Sequence, residues 1–99
     1  DKFVFLGFPP HKKGRQKFFK ELAEYKYPVI IYESPYRILK TLNELKQIND
    51  FEIAIGRELT KKFETIYYGK ISQIINKIEP RGEFVIVIRQ RRDKLWKKS

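Results

Sequence analysis

The stretch Pro28-Val-Ile-Ile-Tyr-Glu-Ser-Pro-Tyr-Arg37 decides the fold. Val29 to Tyr32 is a short, apolar, β-branched run, which predicts a strand buried on both faces, as in parallel sheets. Ser34 is a favoured N-cap residue, and Pro35 suits the first helical position because the N–H that proline lacks would have no partner there. Apolar residues then recur at helical spacing, at Ile38, Leu39, Leu42, Leu45 and Ile48. The stretch therefore predicts a strand, a tight polar turn and a helix.

Further strands and helices are predicted on both sides of this unit. The strands cover about 3–8, 52–56, 63–68 and 84–88, and the helices about 15–25 and a short segment that begins at a Ser72 cap. Arg57 to Lys62 forms a polar stretch between two strands, longer than a minimal turn. The order βαβαββαβ predicts an α/β fold with a mixed sheet of about five strands and helices packed on its faces. We assign residues 1–88 to this domain and 89–99 to a charged tail.

Composition narrows the class of protein. The 99 residues are enough for one domain, and the absence of cysteine excludes a disulfide framework or a thiolate metal site. With His11 as the single histidine, we expect no metal. There is no apolar run of about 20 residues and no signal-peptide pattern, so we expect a cytoplasmic protein without a membrane contact. The chain contains no methionine, which indicates a piece of a longer protein.

The formal charge of +10, from 22 Lys and Arg against 12 Asp and Glu, favours a polyanionic partner such as nucleic acid. The simpler alternative is a lysine-rich proteome in which basic surfaces are common. The basic residues outside the tail fall mainly in two groups, one from Lys12 to Lys20 and one at Lys61 and Lys62. His11, in the first group, is most simply a solvated surface residue.

Polar residues follow the predicted strands directly. Glu33, Ser34 and Arg37 lie at the carboxyl end of the central strand, where open α/β sheets bind ligands. Arg57 and Glu58 follow the next predicted strand and would face the same edge if the two strands point the same way. The alternative is structural, because Glu33 and Arg37 are four residues apart and can pair with each other.

Three stretches together resemble the C-terminal half of the ribosomal RNA small-subunit methyltransferases of the tetrapyrrole methylase superfamily. They are Phe5-Leu-Gly-Phe-Pro-Pro-His-Lys-Lys-Gly-Arg15, Ile31-Tyr-Glu-Ser-Pro-Tyr-Arg37 and Arg57-Glu-Leu-Thr-Lys-Lys-Phe-Glu64. The closing Gly82-Glu-Phe-Val-Ile-Val-Ile88 agrees as well. The resemblance extends over nearly the whole chain to about residue 88.

The resemblance implies an S-adenosylmethionine enzyme that methylates a ribose 2′-hydroxyl of 16S ribosomal RNA in the small ribosomal subunit. Such enzymes hold the cofactor between two α/β domains and are commonly dimers, and their N-terminal domain carries a Gly-Asp-Pro-type cofactor loop that this chain lacks. By position, the cofactor wall would comprise Tyr32, Glu33, Ser34, Leu59 and Glu83.

Methyl transfer needs an aligned donor and hydroxyl and an acceptor for the hydroxyl proton. Glu33 and Glu58 are the acids at predicted strand ends, so they are the candidate bases. The candidate contacts for RNA phosphates are Lys12, Lys13, Arg15, Arg37, Lys61 and Lys62. The competing hypothesis is a stand-alone basic α/β module that binds RNA without catalysis, while the charge disfavours a relative that acts on tetrapyrroles.

Overall fold

Strands and helices alternate along the chain. A computed structural model describes residues 2–59 and 62–90. Its elements are β1 (Val4–Gly7), α1 (Arg15–Leu22), β2 (Val29–Glu33), α2 (Ile38–Ile48), β3 (Glu52–Leu59), β4 (Lys62–Lys70), α3 (Ile71–Ile74), a 3₁₀ turn (Ile75–Lys77) and β5 (Glu83–Ile88). The predicted order βαβαββαβ is confirmed. Within the described residues, none of the helices is long and apolar enough to cross a membrane.

Five strands in the described part of the chain form one mixed sheet in the order β1-β2-β5-β3-β4. β1 and β2 are parallel, β5 runs antiparallel to both β2 and β3, and β4 runs antiparallel to β3. β1, β2 and β3 therefore point the same way, and they end at one edge of the sheet, where β4 and β5 begin. We call this the carboxyl edge; it comprises residues 7–14, 32–37, 57–59, 62 and 83–84.

One face of the sheet packs against the helices and forms the core. β2, β5 and β3 meet there in two cross-strand rows of buried side chains, Val29–Ile88–Ile53 and Ile31–Ile86–Ile55. The helices add apolar side chains to the same cluster: Phe19 and Leu22 from α1, Ile38, Leu42 and Leu45 from α2, and Ile71 and Ile74 from α3. The apolar spacing that predicted α2 is therefore its core-facing stripe.

The opposite, outer face of the sheet is only partly covered. In β2, Val29, Ile31 and Glu33 are buried, whereas Ile30 is half-buried and Tyr32 is exposed. The prediction that this strand is buried on both faces is wrong. The reason is its pairing with the antiparallel β5, because sheets with antiparallel strands do not need helices on both faces.

β3 is longer than its apolar pattern predicts. Residues Arg57 to Leu59 continue the strand instead of forming a loop, and residues 60 and 61, which lie outside the described part, separate it from β4. Arg57 is opposite Phe84 in β5 and Thr65 in β4, so this end of β3 lies between two paired strands. Backbone pairing of this kind overrides the weak strand preference of polar residues.

The helix starts also differ from the prediction. α2 begins at Ile38, not at Pro35, because the preceding residues form a turn in which the Arg37 N–H donates to the Ser34 carbonyl at 3.2 Å. α3 begins at Ile71, so Ser72 lies inside its first turn and is not its N-cap. The Ser72 amide instead donates to Asp50, at 2.9 Å.

Two residues beyond β5 pack against the domain. The Gln90 side chain is buried, and its Nε2 donates to the Leu22 carbonyl at 3.0 Å. Arg89 Nη1 lies 3.3 Å from Glu52 Oε1. Residues 89 and 90, which we assigned to the tail, therefore both contact the domain. The remaining tail residues, 91–99, lie outside the described part.

Candidate functional site

The carboxyl edge collects the polar residues that follow three strands. Glu33 at the end of β2 is opposite Phe84 in β5, and Phe84 is opposite Arg57 in β3. One step further along, Glu58 is opposite Glu83. Because these strand ends share an edge, the five residues predicted to form the cofactor wall lie on neighbouring strands. β2 and β3 point the same way, which is the condition under which the sequence predicted that Arg57 and Glu58 face the same edge as Glu33.

Tyr32 belongs to an aromatic patch on the outer face. Its side chain is 39% exposed, and the rings of Phe5 and Phe8 pack edge-on against it with centroid distances of 5.2 and 5.5 Å. Phe5 and Phe8 are each more than half exposed. The aromatic patch, defined as these three rings, gives the carboxyl edge an exposed apolar surface.

The Glu33 side chain points the other way, into the helix layer, where it is 1% exposed. Its Oε1 accepts from the Ser34 amide at 2.8 Å, and its Oε2 accepts from the Thr41 hydroxyl at 2.6 Å. A general base must reach the substrate hydroxyl within hydrogen-bond distance. This carboxylate is buried and already bonded, so the structure contradicts Glu33 as a candidate base.

Ser34 and Arg37 flank the turn between β2 and α2. Arg37 Nε lies 3.5 Å from Glu33 Oε1, so the structural alternative that we considered for this pair is confirmed. The Arg37 side chain nevertheless keeps 28% of its surface exposed. The Ser34 hydroxyl oxygen is buried and has no hydrogen-bond partner among the residues that the structure describes, which is uncommon and calls for a ligand or a neighbouring group.

Arg15 is not available as a phosphate contact. Its side chain is 5% exposed, and its guanidinium donates to the Pro10 carbonyl, to Thr41 Oγ1 at 2.8 Å and to Glu44 Oε1 at 2.6 Å. It also lies over the Phe19 ring, 5.2 Å from the centroid. The prediction of an RNA contact at Arg15 is therefore corrected to a buried structural role.

The other basic residues that we predicted to contact RNA phosphates lie in different parts of the chain. Lys12 and Lys13 are exposed in the loop between β1 and α1, at the carboxyl edge. Lys62 is the first residue of β4, at the same edge, and Lys61 lies outside the described residues. Four of the six predicted contacts, Arg37 among them, therefore remain candidates at this edge.

Arg57 is a buried cation that the sequence did not distinguish from the polar residues around it. It is 7% exposed, and its Nη2 donates to Thr65 Oγ1 at 3.0 Å and pairs with Glu79 Oε1 at 3.2 Å. Within the described part of the chain, its Nε and Nη1 have no hydrogen-bond partner. A sequence signal does exist, since Arg57 is in phase with the buried residues Ile53 and Ile55.

Glu58 and Glu83 face each other across β3 and β5. Glu58 is half-buried, Glu83 is exposed, and both lie on the face opposite to the core. Like charges directly opposite in a sheet are unfavourable. Because its side chain is not fully buried, Glu58, unlike Glu33, remains a candidate base.

Comparison with known proteins finds relatives that all carry the same name. No family model matches the chain. A protein of Thermotoga maritima named "Ribosomal RNA small subunit methyltransferase I" is 37% identical over an alignment of 91 residues that covers 88% of this chain and 41% of that protein. Proteins of the same name from Bacillus subtilis and Helicobacter pylori are 41% and 37% identical; the matches include 87% and 88% of this chain but 31% and 34% of theirs. The chain thus spans well under half the length of these relatives.

Proposed function

Because this chain is a homologue of one part of the ribosomal RNA small subunit methyltransferase I proteins, we propose that it is the C-terminal domain of an S-adenosylmethionine-dependent enzyme that methylates a ribose 2′-hydroxyl of 16S ribosomal RNA. The complete enzyme, here called the parent protein, then has an N-terminal α/β domain with a Gly-Asp-Pro-type cofactor loop. The proposal includes the small ribosomal subunit as substrate, a cytoplasmic location and a homodimeric parent protein of the tetrapyrrole methylase type.

The observation that carries the proposal is the meeting of the ends of β1, β2 and β3 at the carboxyl edge. Open α/β sheets bind ligands in the crevice outside the carboxyl ends of their strands. The matched relatives are methyltransferases by name, and their additional length leaves room for a second domain facing this edge.

The residues present fit an adenosine group. The aromatic patch offers an apolar surface at the same edge as Ser34, whose buried hydroxyl oxygen lacks a partner among the described residues. When bound, S-adenosylmethionine supplies a methyl group already activated by a positively charged sulfur. The role of Tyr32, Ser34, Leu59 and Glu83, together with the backbone of Glu33, is then to bind and orient the adenosine side of the cofactor and to exclude water.

Transfer to a ribose hydroxyl releases a proton, and Glu58 is the proposed acceptor from this chain. It lies on the outer face one strand away from Glu83, and it is half-buried. The parent protein's other domain is the alternative source of the base.

The RNA contacts that we propose are the basic residues Lys12, Lys13, Arg37, Lys61 and Lys62. Lysine and arginine contacts to phosphates position a nucleic acid without reading its sequence. Lys12 and Lys13 are exposed at the mouth of the proposed cleft, where a substrate ribose has to enter. The net charge of +10 steers RNA towards this surface.

The second candidate function is a basic α/β module that binds RNA without catalysis. The charge and the exposed lysines favour it as well, because neither requires chemistry. The two functions differ in whether the parent protein transfers a methyl group.

The test incubates small ribosomal subunits and methyl-labelled S-adenosylmethionine with the parent protein or with the 99-residue chain. We expect label in 16S RNA with the parent protein and none with the chain alone. Alkali cleaves RNA through the ribose 2′-hydroxyl, so a 2′-O-methyl group leaves the label in an uncleaved dinucleotide. Label in mononucleotides would contradict ribose methylation, and RNA binding without label would favour the second function.

A further inference from the structure

A chain of polar side chains links two neighbouring segments of the carboxyl edge through the helix layer. Arg15 from α1 donates to Thr41 Oγ1 at 2.8 Å, and the Thr41 hydroxyl donates to Glu33 Oε2 at 2.6 Å. Glu44 on α2 completes the set by accepting from Arg15 Nε at 3.0 Å. Buried charges are costly unless they are paired and hydrogen-bonded, and here each group has its partners.

Thr41 is the central member, because its hydroxyl serves both sides. A hydroxyl has one hydrogen to donate and lone pairs to accept, so it can receive the Arg15 N–H while it donates to Glu33. Thr41 is fully buried. It occupies a position three residues after Ile38 in the apolar stripe of α2, where valine would satisfy packing equally well but would break both hydrogen bonds.

The two ends of this chain of hydrogen bonds are backbone groups of neighbouring strand ends. At one end, Arg15 Nη1 donates to the carbonyl of Pro10, which follows β1. At the other end, the amide of Ser34, which follows β2, donates to Glu33 Oε1. The segments that leave two parallel strands are therefore tied to each other by side chains alone.

The same arginine closes the loop that carries Lys12 and Lys13. Arg15 follows the loop as the first residue of α1, and its guanidinium donates to the Pro10 carbonyl at the start of the loop. Gly14 completes the turn into α1 with a φ of 84°, a left-handed conformation that glycine adopts without strain. Both exposed lysines are thus presented from a loop that is fixed at its two ends.

We propose that Thr41 and Arg15 are positioning residues that hold the loop of Lys12 and Lys13 in a fixed geometry relative to Glu33 and Ser34. This inference rests on the proposed function, in which the loop contacts RNA and the end of β2 forms part of the cofactor wall. The relay, as we call Arg15, Thr41, Glu33 and Glu44, touches neither ligand with its side chains. It sets the distance between the two ligand sites.

The first test measures the loop without any ligand. NMR order parameters of the backbone amides of residues 11–14 are compared in the 99-residue chain and its Thr41→Val and Thr41→Ser variants. We expect values typical of a rigid backbone, about 0.85, to fall below about 0.6 in Thr41→Val and to be restored in Thr41→Ser. Thr65→Val is the matched control, because it removes a hydroxyl bonded to another buried arginine, Arg57.

The second test measures RNA binding by the parent protein. The double substitution Lys12→Ala with Lys13→Ala should lower RNA affinity by a measurable factor. We expect this factor to be at least threefold smaller when the parent protein also carries Thr41→Val. In Thr41→Ser and Thr65→Val backgrounds the factor should stay unchanged. Thr41 is uncharged and, in this proposal, does not contact RNA. Its substitution therefore changes the effect of the lysine substitutions only by changing the position of the loop.

The outcomes separate the relay from the proposed function. An unchanged loop order parameter together with additive effects would overturn the relay. If the two lysine substitutions leave RNA affinity unchanged in the otherwise unaltered parent protein, the proposed RNA contact fails. The order parameters alone then test the relay. Lower values in Thr41→Val but not in Thr65→Val support it, and a loop that stays rigid in Thr41→Val overturns it.

Discussion

At the level of single residues, burial separates polar side chains that look alike in the sequence. Arg15 and Lys12 both belong to a basic segment, yet Arg15 is enclosed by α1 and α2 while Lys12 is exposed. The partners of Arg15, Thr41 and Glu44, are 26 and 29 residues away, and no local pattern links them. The sequence is sufficient to predict the carboxyl edge as a site, because that prediction depends only on where the strands end. The role of each charged side chain depends on partners that are distant in the sequence.

Tyr32 provides the residue-scale test of the cofactor wall. We expect Tyr32→Ala in the parent protein to raise the KM for S-adenosylmethionine by about 5- to 30-fold, because about 1 to 2 kcal/mol of apolar contact is lost. Steady-state methylation kinetics measure this. Tyr68→Ala is the control, since Tyr68 is also an exposed tyrosine on the outer face but lies in β4, away from the carboxyl edge. Equal effects of both substitutions would place the adenosine site elsewhere.

At the level of elements, the periodic patterns predict which segments are helices and strands but not where they end. α2 starts three residues later than the Ser-Pro signal indicates, because the residues before it form a turn of their own. β3 extends three residues beyond its apolar pattern, because two neighbouring strands pair with its polar end. Ends fixed by tertiary pairing are not encoded in the local sequence.

The start of α3 gives a pH-dependent prediction. Burial on its own would raise the pKa of the Asp50 carboxyl, but the hydrogen bonds from the Ser72 hydroxyl and amide, with Lys70 and Lys46 nearby, hold that pKa below its ordinary value of 3.8. A carboxyl with a lowered pKa in the folded state stabilises the fold above the unfolded pKa, and this contribution is lost as the pH falls through the folded value.

We therefore expect the 99-residue chain to be more stable than its Asp50→Asn variant at pH 6 and the difference to shrink steadily below about pH 4. Urea denaturation of both proteins between pH 2.5 and 7 measures the difference. Glu21→Gln serves as a control, because Glu21 is an exposed acid whose contact with Lys17 spans 4.0 Å and surface pairs of this kind contribute little. A difference that grows towards low pH would contradict the stabilising role of Asp50.

At the level of the whole molecule, the strand order determines what the carboxyl edge contains. The sequence predicts five strands and their order along the chain, but the insertion of β5 between β2 and β3 is a long-range pairing that periodicity does not reveal. That insertion brings Glu83 next to Glu58 and leaves β1 and β4 at the two borders of the sheet. The charge distribution follows from the same topology, since the lysines after β1 and at the start of β4 share one edge.

The charge distribution predicts the salt dependence of RNA binding. Replacing Lys12 and Lys13 by Ala in the parent protein should weaken binding at all salt concentrations. It should also flatten the slope of log affinity against log salt by about 1.5 units, from about 0.7 to 0.9 per lost phosphate contact. Filter binding between 50 and 200 mM salt measures both effects. Lys2→Ala with Lys26→Ala is the matched control, because both lysines are exposed just before β1 and β2, at the opposite edge. A flatter slope in the control alone would refute the RNA contact at this loop.

The most direct test of the central claim, that the carboxyl edge is half of a cofactor cleft, is NMR mapping of S-adenosylmethionine on the isotope-labelled 99-residue chain. We expect shifts at the amides of Tyr32, Ser34, Leu59 and Glu83, with an affinity well below that of the parent protein, because the other wall is missing. Shifts confined to the opposite edge, or an affinity equal to that of the parent protein, would contradict the claim.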